Sequence, residues 1–293
     1  MSCEAVPRIE GPVAVLGAGT MGRGIAHVSA LAGYETRLFD IDGEILVRAL
    51  ETVRSNLDKG VELGKIKPVN RDGALDLLST STELARAVDG ADLVIEAIPE
   101  QLELKQSLLD SVADLVGPET IVASNTSSLS ISALASALEG AERVVGLHFF
   151  NPVHIMALVE VVRGDRTTER VTEQARQFAE ALGKTPIVVR DSPGFASSRL
   201  GVALGLEAIR MVEEDVASPD DIDRAMELGY RHPMGPLRLT DVVGLDVRLQ
   251  IARYLHRELG SERFRPPRLL ERMVEEGRLG KKTGGGFYDW SGG

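Results

Sequence analysis

A short apolar run, Val13-Ala14-Val15-Leu16, leads directly into Gly17-Ala18-Gly19-Thr20-Met21-Gly22, and a helical pattern follows through Ala32. No other stretch constrains the fold as tightly. Consecutive apolar residues opened by Gly11-Pro12 read as a strand buried on both faces, the mark of a parallel sheet. The three glycines at G-x-G-x-x-G spacing each have a separate steric reason: a tight turn, close approach of backbone to a pyrophosphate, and close contact of helix with sheet. The helix that opens there turns unpaired N–H groups and the positive end of its dipole toward the phosphates. A second strand, Glu35 to Phe39, ends in Asp40, 18 residues past Gly22. A carboxylate there can accept from both ribose hydroxyls and repels a 2′-phosphate. Strand, glycines, helix and acid together predict a dinucleotide site made by Gly17, Ala18, Gly19, Thr20, Met21, Gly22 and Asp40, with NAD favoured over NADP.

The alternation of strand and helix continues. Residues 43–62 read as a long helix with apolar Ile45, Leu46, Ala49, Leu50, Val53 and Leu57. Its other face carries Arg48, Arg54 and Lys59, where a solvated face is preferred over contact with a phosphorylated ligand. Residues 65–76 read as a polar connection containing Pro and Gly, and Leu77 to Thr80 as a strand, with a short helix to Val88. Asp92 to Ile98 is a further strand, ended by Pro99-Glu100. Strand C-termini of an open parallel sheet face the ligand crevice. Glu100 therefore falls near a cofactor, with Lys105 one turn into the next helix, although an acid at a helix start is equally a favourable dipole contact. Ile121 to Ser124 is the next strand. The Asn125-Thr126-Ser127-Ser128 cluster after it suits a substrate oxygen and equally suits capping a helix that begins near Ser130.

Arg143 to Gly164 supplies the chemistry. Two β-rich runs flank an Asn151-Pro152 turn signal, with His148 and Glu160 six positions either side of residue 154. If the runs fold back on each other, the two side chains meet on the pleated surface. An imidazole held by a carboxylate is a general base with its tautomer fixed. A helix near Thr168 to Leu182 and a strand from Thr185 to Arg190 complete a first domain, residues 1–191.

After Asp191-Ser192-Pro193-Gly194 the alternation stops and helical periodicity takes over, in Leu200, Ala203, Leu204, Ala208, Met211 and Val212, then Ile222, Ala225 and Met226. Ser218-Pro219-Asp220-Asp221 is a helix start with a cap, Pro at the first position and acids in the first turn. His232-Pro233-Met234-Gly235-Pro236 is a turn before another helix reaching about Leu259. The fold class is thus α/β: a Rossmann-type, mostly parallel sheet domain followed by an all-helical domain, residues 192–293. Apolar helix faces that need cover point to a homodimer. The tail, Gly280 to Tyr288, superficially looks like a phosphate cradle, but no helix follows, so it reads as a packed segment with aromatic anchors.

Composition narrows the function classes. A chain of 293 residues favours two domains. A formal net charge of −11 argues against a nucleic-acid partner. The single cysteine, Cys3, excludes an internal disulfide framework and fits a reducing compartment. No run approaches the length of a membrane span, and the residues before the first strand, with Glu4 and Glu10, resemble neither a signal nor a transit peptide. A cytoplasmic protein is expected, with no membrane partner.

Seven separated segments, GAGTMGRGIA, VIEAIPE, SNTSSL, LHFFNPV followed by EVV, DSPGF, DIDRAMELGYRHPMGP and GKKTGGGFYDW, resemble those of the L-3-hydroxyacyl-CoA dehydrogenases, most nearly their bacterial 3-hydroxybutyryl-CoA dehydrogenase branch. They cover nearly the whole chain in the family's order. The resemblance implies NAD as cofactor, His148 as catalytic base, Glu160 as the group that orients it, and Ser127 and Asn151 in contact with substrate and nicotinamide. It also implies NAD contacts for Glu100, Lys105 and Lys282, which for Lys282 replaces the structural reading of the tail. The implied reaction passes the proton of a 3-hydroxyl to His148 Nε2 while C3 gives up a hydride, with Ser127 or Asn151 stabilising the oxyanion in reverse.

One position departs from the family pattern. Ser198 stands where the family has an active-site Asn. A shorter, single-donor side chain leaves the substrate open: a 3-hydroxyacyl-CoA, a more polar hydroxyacyl chain on acyl-carrier protein, or a gulonate-type sugar acid. A non-catalytic, crystallin-like NAD-binding protein is the reading outside enzymology, and retention of His148, Glu160, Ser127 and Asn151 argues against it.

Overall fold

The computed structural model describes residue 6 and residues 8–136 and 138–292. Cys3 and Glu4 lie outside the described residues. The chain divides into two units, Met1–Ser192 and Pro193–Gly293, one residue beyond the boundary expected from the loss of strand–helix alternation.

The first unit runs β1 (Val13–Leu16), α1 (Thr20–Leu31), β2 (Thr36–Phe39), α2 (Gly43–Glu62), α3 (Pro68–Asp76), β3 (Leu78–Ser81), α4 (Leu84–Val88) and β4 (Leu93–Glu96). It continues with α5 (Leu102–Ala113), β5 (Ile121–Ser124), α6 (Ile131–Ala135), β6 (Val144–Phe149), β7 (Leu158–Arg163), α7 (Glu169–Ala181) and β8 (Thr185–Arg190). One eight-stranded sheet has the order β3-β2-β1-β4-β5-β6-β7-β8. Every pairing is parallel except β6 with β7. The uninterrupted apolar runs are explained by this arrangement: all of β1, β4, β5 and β6 is buried, because helices cover both faces of a parallel sheet.

Strand order reverses at β1, which lies between β2 and β4. The crevice outside the C-terminal ends of strands opens at such a switch point. Two glycines there are sterically required. Gly17 has φ +101°, and a Cβ on Gly22 would stand 1.7 Å from the Gly17 carbonyl oxygen.

Within the first unit, the stretch between α2 and β3 departs from its sequence reading. Residues 65–76 are not a polar connection: residues 68–76 form α3, packed on α1 and α2. Pro68 starts this helix rather than breaking a continuous one, since Pro needs no N–H at the first turn. Buried Ala74 and the Arg71 guanidinium, which donates to Asp58 at 2.9 Å, tie it to the α2 side.

The second unit contains α8 (Ser197–Glu213), α9 (Pro219–Gly229), α10 (Pro236–Val243), α11 (Leu245–Leu259) and α12 (Arg268–Glu275). Its own core is built on Leu206, Ile209, Leu237, Leu255, Phe264 and Leu270. The expected single helix after the Pro236 turn is two helices, interrupted at Gly244, whose φ of +104° no helix accommodates. The tail is held as an anchored segment: buried Asp241 accepts from the backbone N–H groups of Phe287 and Tyr288 and from Trp290 Nε1, each at 2.9 Å.

Candidate active site

The glycine loop at the switch point is built to receive an anion. Gly19 is the N-cap of α1 and supplies no side-chain cap, and no acid occupies the first turn. The helix's first N–H groups therefore keep their need for a negative partner. A Cβ built on Gly19 meets nothing within 4 Å, so the space beside the loop is open. A crevice of about 840 Å³ runs from here past Thr20, Met21 and Asp40 to Ala97 and Ile98. These residues fit a dinucleotide. Asp40 also braces the loop, with Oδ2 accepting from Ala18 N at 2.8 Å, a role its spacing alone did not reveal.

A cavity of about 380 Å³ shares Met21, Ala97 and Ile98 with this crevice and is lined further by His148, Ser127 and Asn151. His148 and Glu160 stand directly opposite each other in the β6–β7 register. His148 Nδ1 lies 2.7 Å from Glu160 Oε2, with the Glu160 side chain wholly buried and the His148 side chain 8% exposed. The antiparallel return of β7 makes the contact, and an eight-residue connection, 150–157, joins the two strands. A carboxylate accepts, so Nδ1 carries the proton and Nε2 is the basic nitrogen. The Phe150 ring packs against the imidazole at 4.5 Å.

The polar cluster after β5 is organised by Glu100. Its Oε1 accepts from Thr126 Oγ1 at 2.6 Å, from Ser127 N at 2.9 Å and from Ser127 Oγ at 3.2 Å, and Ser128 adds two longer bonds. Burial works against ionisation of Glu100, but Lys105 and the Thr126 and Ser127 donors outweigh it and hold its carboxyl below the usual carboxylate range. Helix capping is left to Ser130, whose hydroxyl accepts from Ala133 N at 3.1 Å. In position, Glu100 faces the Ser127 loop, and the hydroxyl cluster is not the cap of α6.

Lys105 is 1% exposed, and its Nζ lies 2.6 Å from Glu96 Oε1 and 3.3 Å from Glu100 Oε2. Glu96 was missed at the level of sequence. The available signal was an acid closing an otherwise apolar, fully buried strand.

Two expected site residues belong to the second unit. Ser198 is half-buried in the first turn of α8. Lys282 lies in a short 3₁₀ turn, where its Nζ donates to both carboxylate oxygens of Asp246 at 2.6 Å.

A switch-point crevice with a glycine-loop phosphate cradle, an acid closing β2 and an oriented histidine beyond it defines the class: a dinucleotide-dependent oxidoreductase. Comparison with known proteins narrows it. Residues 12–192 match the family model for the 3-hydroxyacyl-CoA dehydrogenase NAD binding domain, and residues 194–290 match that family's C-terminal domain. The chain is 42% identical to a 3-hydroxybutyryl-CoA dehydrogenase of Bradyrhizobium diazoefficiens, over 96% of this chain and 95% of the relative. It is 41% identical to the mitochondrial hydroxyacyl-coenzyme A dehydrogenase of Sus scrofa, over 95% and 90%. Among solved structures, the (S)-3-hydroxybutyryl-CoA dehydrogenase of Ralstonia eutropha superposes with a TM-score of 0.92 at 40% identity, over 95% of this chain and 98% of that one. The chain belongs to the 3-hydroxyacyl-CoA dehydrogenase family, and its first unit is an NAD-binding domain.

Proposed function

We propose that this protein is the NAD-dependent dehydrogenase of an (S)-3-hydroxyacyl-CoA of 3-hydroxybutyryl type, with His148 as its general base. The observation that carries the reading is the buried His148–Glu160 pair, 2.7 Å apart, with His148 lining a cavity beside Ser127 and Asn151 that shares Met21, Ala97 and Ile98 with the dinucleotide crevice. NAD, when bound, accepts the hydride from C3. Gly17, Ala18, Gly19, Thr20, Met21 and Gly22 would hold its pyrophosphate and Asp40 its adenosine ribose, while Glu100 and Lys105 would serve its other end. His148 Nε2 receives the proton of the 3-hydroxyl, and Glu160 offsets the positive charge that spreads over the imidazole. In the reverse direction the same nitrogen protonates the oxyanion, and Asn151, or Ser127 once its hydroxyl turns from Glu100, donates to it.

A CoA thioester is preferred over acyl-carrier protein, a sugar acid or a non-catalytic role. The supporting feature is a second cavity of about 700 Å³, lined by Lys59, Lys65, His154 and Lys184, with His154 on the same connection as Asn151. The three lysines around a cavity of that size suit the phosphates of a nucleotide carrier. Lys59 thereby takes part where the sequence favoured a solvated face. Ser198 belongs to the substrate side and is read as donating to the thioester or hydroxyl oxygen directly or through water. The protein acts in the cytoplasm as a homodimer. Exposed Leu228 at 81%, Tyr230 at 75% and Leu200 at 71% in the helical unit are the apolar surfaces that a second copy would cover.

His148→Ala is expected to remove most turnover while leaving NAD affinity intact by isothermal titration. Lost NAD affinity with turnover preserved would overturn the assignment of His148. Production of NADH from a panel of 3-hydroxyacyl-CoA, acyl-carrier-protein and sugar-acid substrates tests the substrate class; a faster sugar-acid or carrier-protein reaction overturns it.

A further inference from the structure

Glu96 closes β4 with a wholly buried carboxylate, and its recorded bonds leave neither oxygen idle. Oε1 accepts from Lys105 Nζ at 2.6 Å and from Ile98 N at 2.7 Å, and Oε2 accepts from Ser124 Oγ at 2.6 Å. Lys105 Nζ also donates to the Ile98 carbonyl at 3.1 Å and lies 3.3 Å from Glu100. The proposed mechanism uses none of the bonds made by Glu96. A buried carboxylate is costly to keep, and a Gln or an apolar residue could close the strand without that cost.

The cluster sets two carboxylates, Glu96 and Glu100, against one ammonium, Lys105. It therefore carries a net negative charge at the part of the crevice shared with the His148 cavity, where Ala97 and Ile98 line both spaces. The adenosine end is assigned to Asp40, so the nicotinamide end falls here, next to the base. The two redox forms of the nicotinamide differ by one charge: the oxidised ring is a cation and the reduced ring is neutral. A negative cluster at this end of the crevice would bind the first form better than the second, and a site sheltered from water would amplify the difference.

We propose that Glu96 is a positioning residue that sets the preference for oxidised over reduced nicotinamide, by holding Lys105 in place and keeping the Glu96–Lys105–Glu100 cluster net negative. The proposal rests on the dinucleotide site described above. It concerns the charge that the site presents, not the contacts it makes.

The test is the ratio of dissociation constants for NAD⁺ and NADH, measured on the whole chain by calorimetry and by NADH fluorescence, independently of turnover. Glu96→Gln preserves shape and the bonds from Lys105 and Ile98 N to the amide oxygen, while its NH₂ reverses the bond with Ser124, whose hydroxyl must turn its proton elsewhere. It leaves the cluster neutral, and the NAD⁺/NADH ratio of dissociation constants is expected to rise roughly tenfold, the scale of one elementary charge in a sheltered site. Glu96→Asp keeps the charge and restores a ratio close to wild type. Lys105→Met removes the ammonium, leaves two carboxylates and moves the ratio the opposite way, whatever it does to overall affinity. Circular dichroism checks that each variant is folded, and if Glu96→Gln does not fold, the sign of the Lys105→Met shift decides. An unchanged ratio in folded Glu96→Gln, or a Lys105→Met shift toward NADH, overturns the proposal. A wild-type chain that binds neither form would instead defeat the dinucleotide site itself.

Discussion

Replacing Glu160 by Gln isolates what the buried carboxylate does for His148. The two side chains meet at 2.7 Å, with Glu160 wholly buried and His148 nearly so, so bulk water screens the pair poorly. Taking the centres of charge as about 4 Å apart, with an effective dielectric constant of about 20, the carboxylate stabilises a developing imidazolium by about 4 kcal/mol. At 1.36 kcal/mol per factor of ten, its loss lowers turnover by about a thousandfold. A second effect acts in the same direction. The Gln NH₂ can donate to Nδ1, which moves the ring proton to Nε2, where the base must be unprotonated. The assay is steady-state NADH formation from 3-hydroxybutyryl-CoA, with NAD affinity measured separately by calorimetry. Turnover should fall about a thousandfold while NAD affinity stays within about twofold. The double variant with His148→Ala should be little worse than either single variant, because the two residues act as one unit. Turnover within tenfold of wild type in a folded Glu160→Gln would refute the reasoning, as would additive losses in the double variant.

Two further predictions concern stability. Asp241→Ala strands the N–H groups of Phe287 and Tyr288 and the Trp290 indole, all bonded to a side chain that is 1% exposed. A cost of about 3 kcal/mol is expected, read as an earlier urea transition of the helical unit with an altered Trp290 signal; an unshifted midpoint would contradict it. His27 is buried on α1 with neither ring nitrogen hydrogen-bonded among the described residues. Burial first, then nearby His154 and Lys184, pushes its pKa down from 6.5 to about 4. Because the unfolded chain takes up this proton first, the contribution of His27 is complete above pH 6.5. It is lost progressively as the pH falls toward 4, by up to about 3 kcal/mol. His27→Leu should flatten the stability profile over that window, measured by urea unfolding between pH 7.5 and pH 4.5, and an equally steep profile in the variant would exclude His27 as the cause.

Most of the strands, the glycine loop and the split into a sheet unit and a helical unit were legible because each rests on local chemistry. Strands buried on both faces are apolar throughout, a phosphate turn needs glycine where a Cβ would strike the backbone, and β1, β5 and β8 have the expected spans or nearly so. The errors came where one residue has two local meanings. Pro68 lies in a stretch that reads as a polar connection and is the start of α3, because a helix first turn has no use for the N–H that Pro lacks. Gly244 passed unnoticed inside an amphipathic pattern and divides α10 from α11 at a positive φ. Helix α12 has strong periodicity but is eight residues long, too short to stand out without its packing partners.

The sequence by itself determined the reaction's raw materials: a cradle for pyrophosphate, an acid for the ribose, and a histidine and a glutamate on two runs able to pair. It also carried a family resemblance dense enough to place the chain. Tertiary structure alone decided which groups touch. Whether His148 faces Glu160 depends on register, and a slip of one residue in β7 would turn Glu160 to the face opposite His148. That Glu100 meets the Ser127 loop depends on β4 and β5 lying side by side in parallel, which brings residues 26 and 27 positions apart within hydrogen-bond reach. Glu96 makes the same point most sharply. In the chain it is one acid in an apolar strand, and only the folded sheet, which excludes water and brings Lys105, Ser124 and the Ile98 amide to it, sets that acid in a bonded cluster beside the crevice.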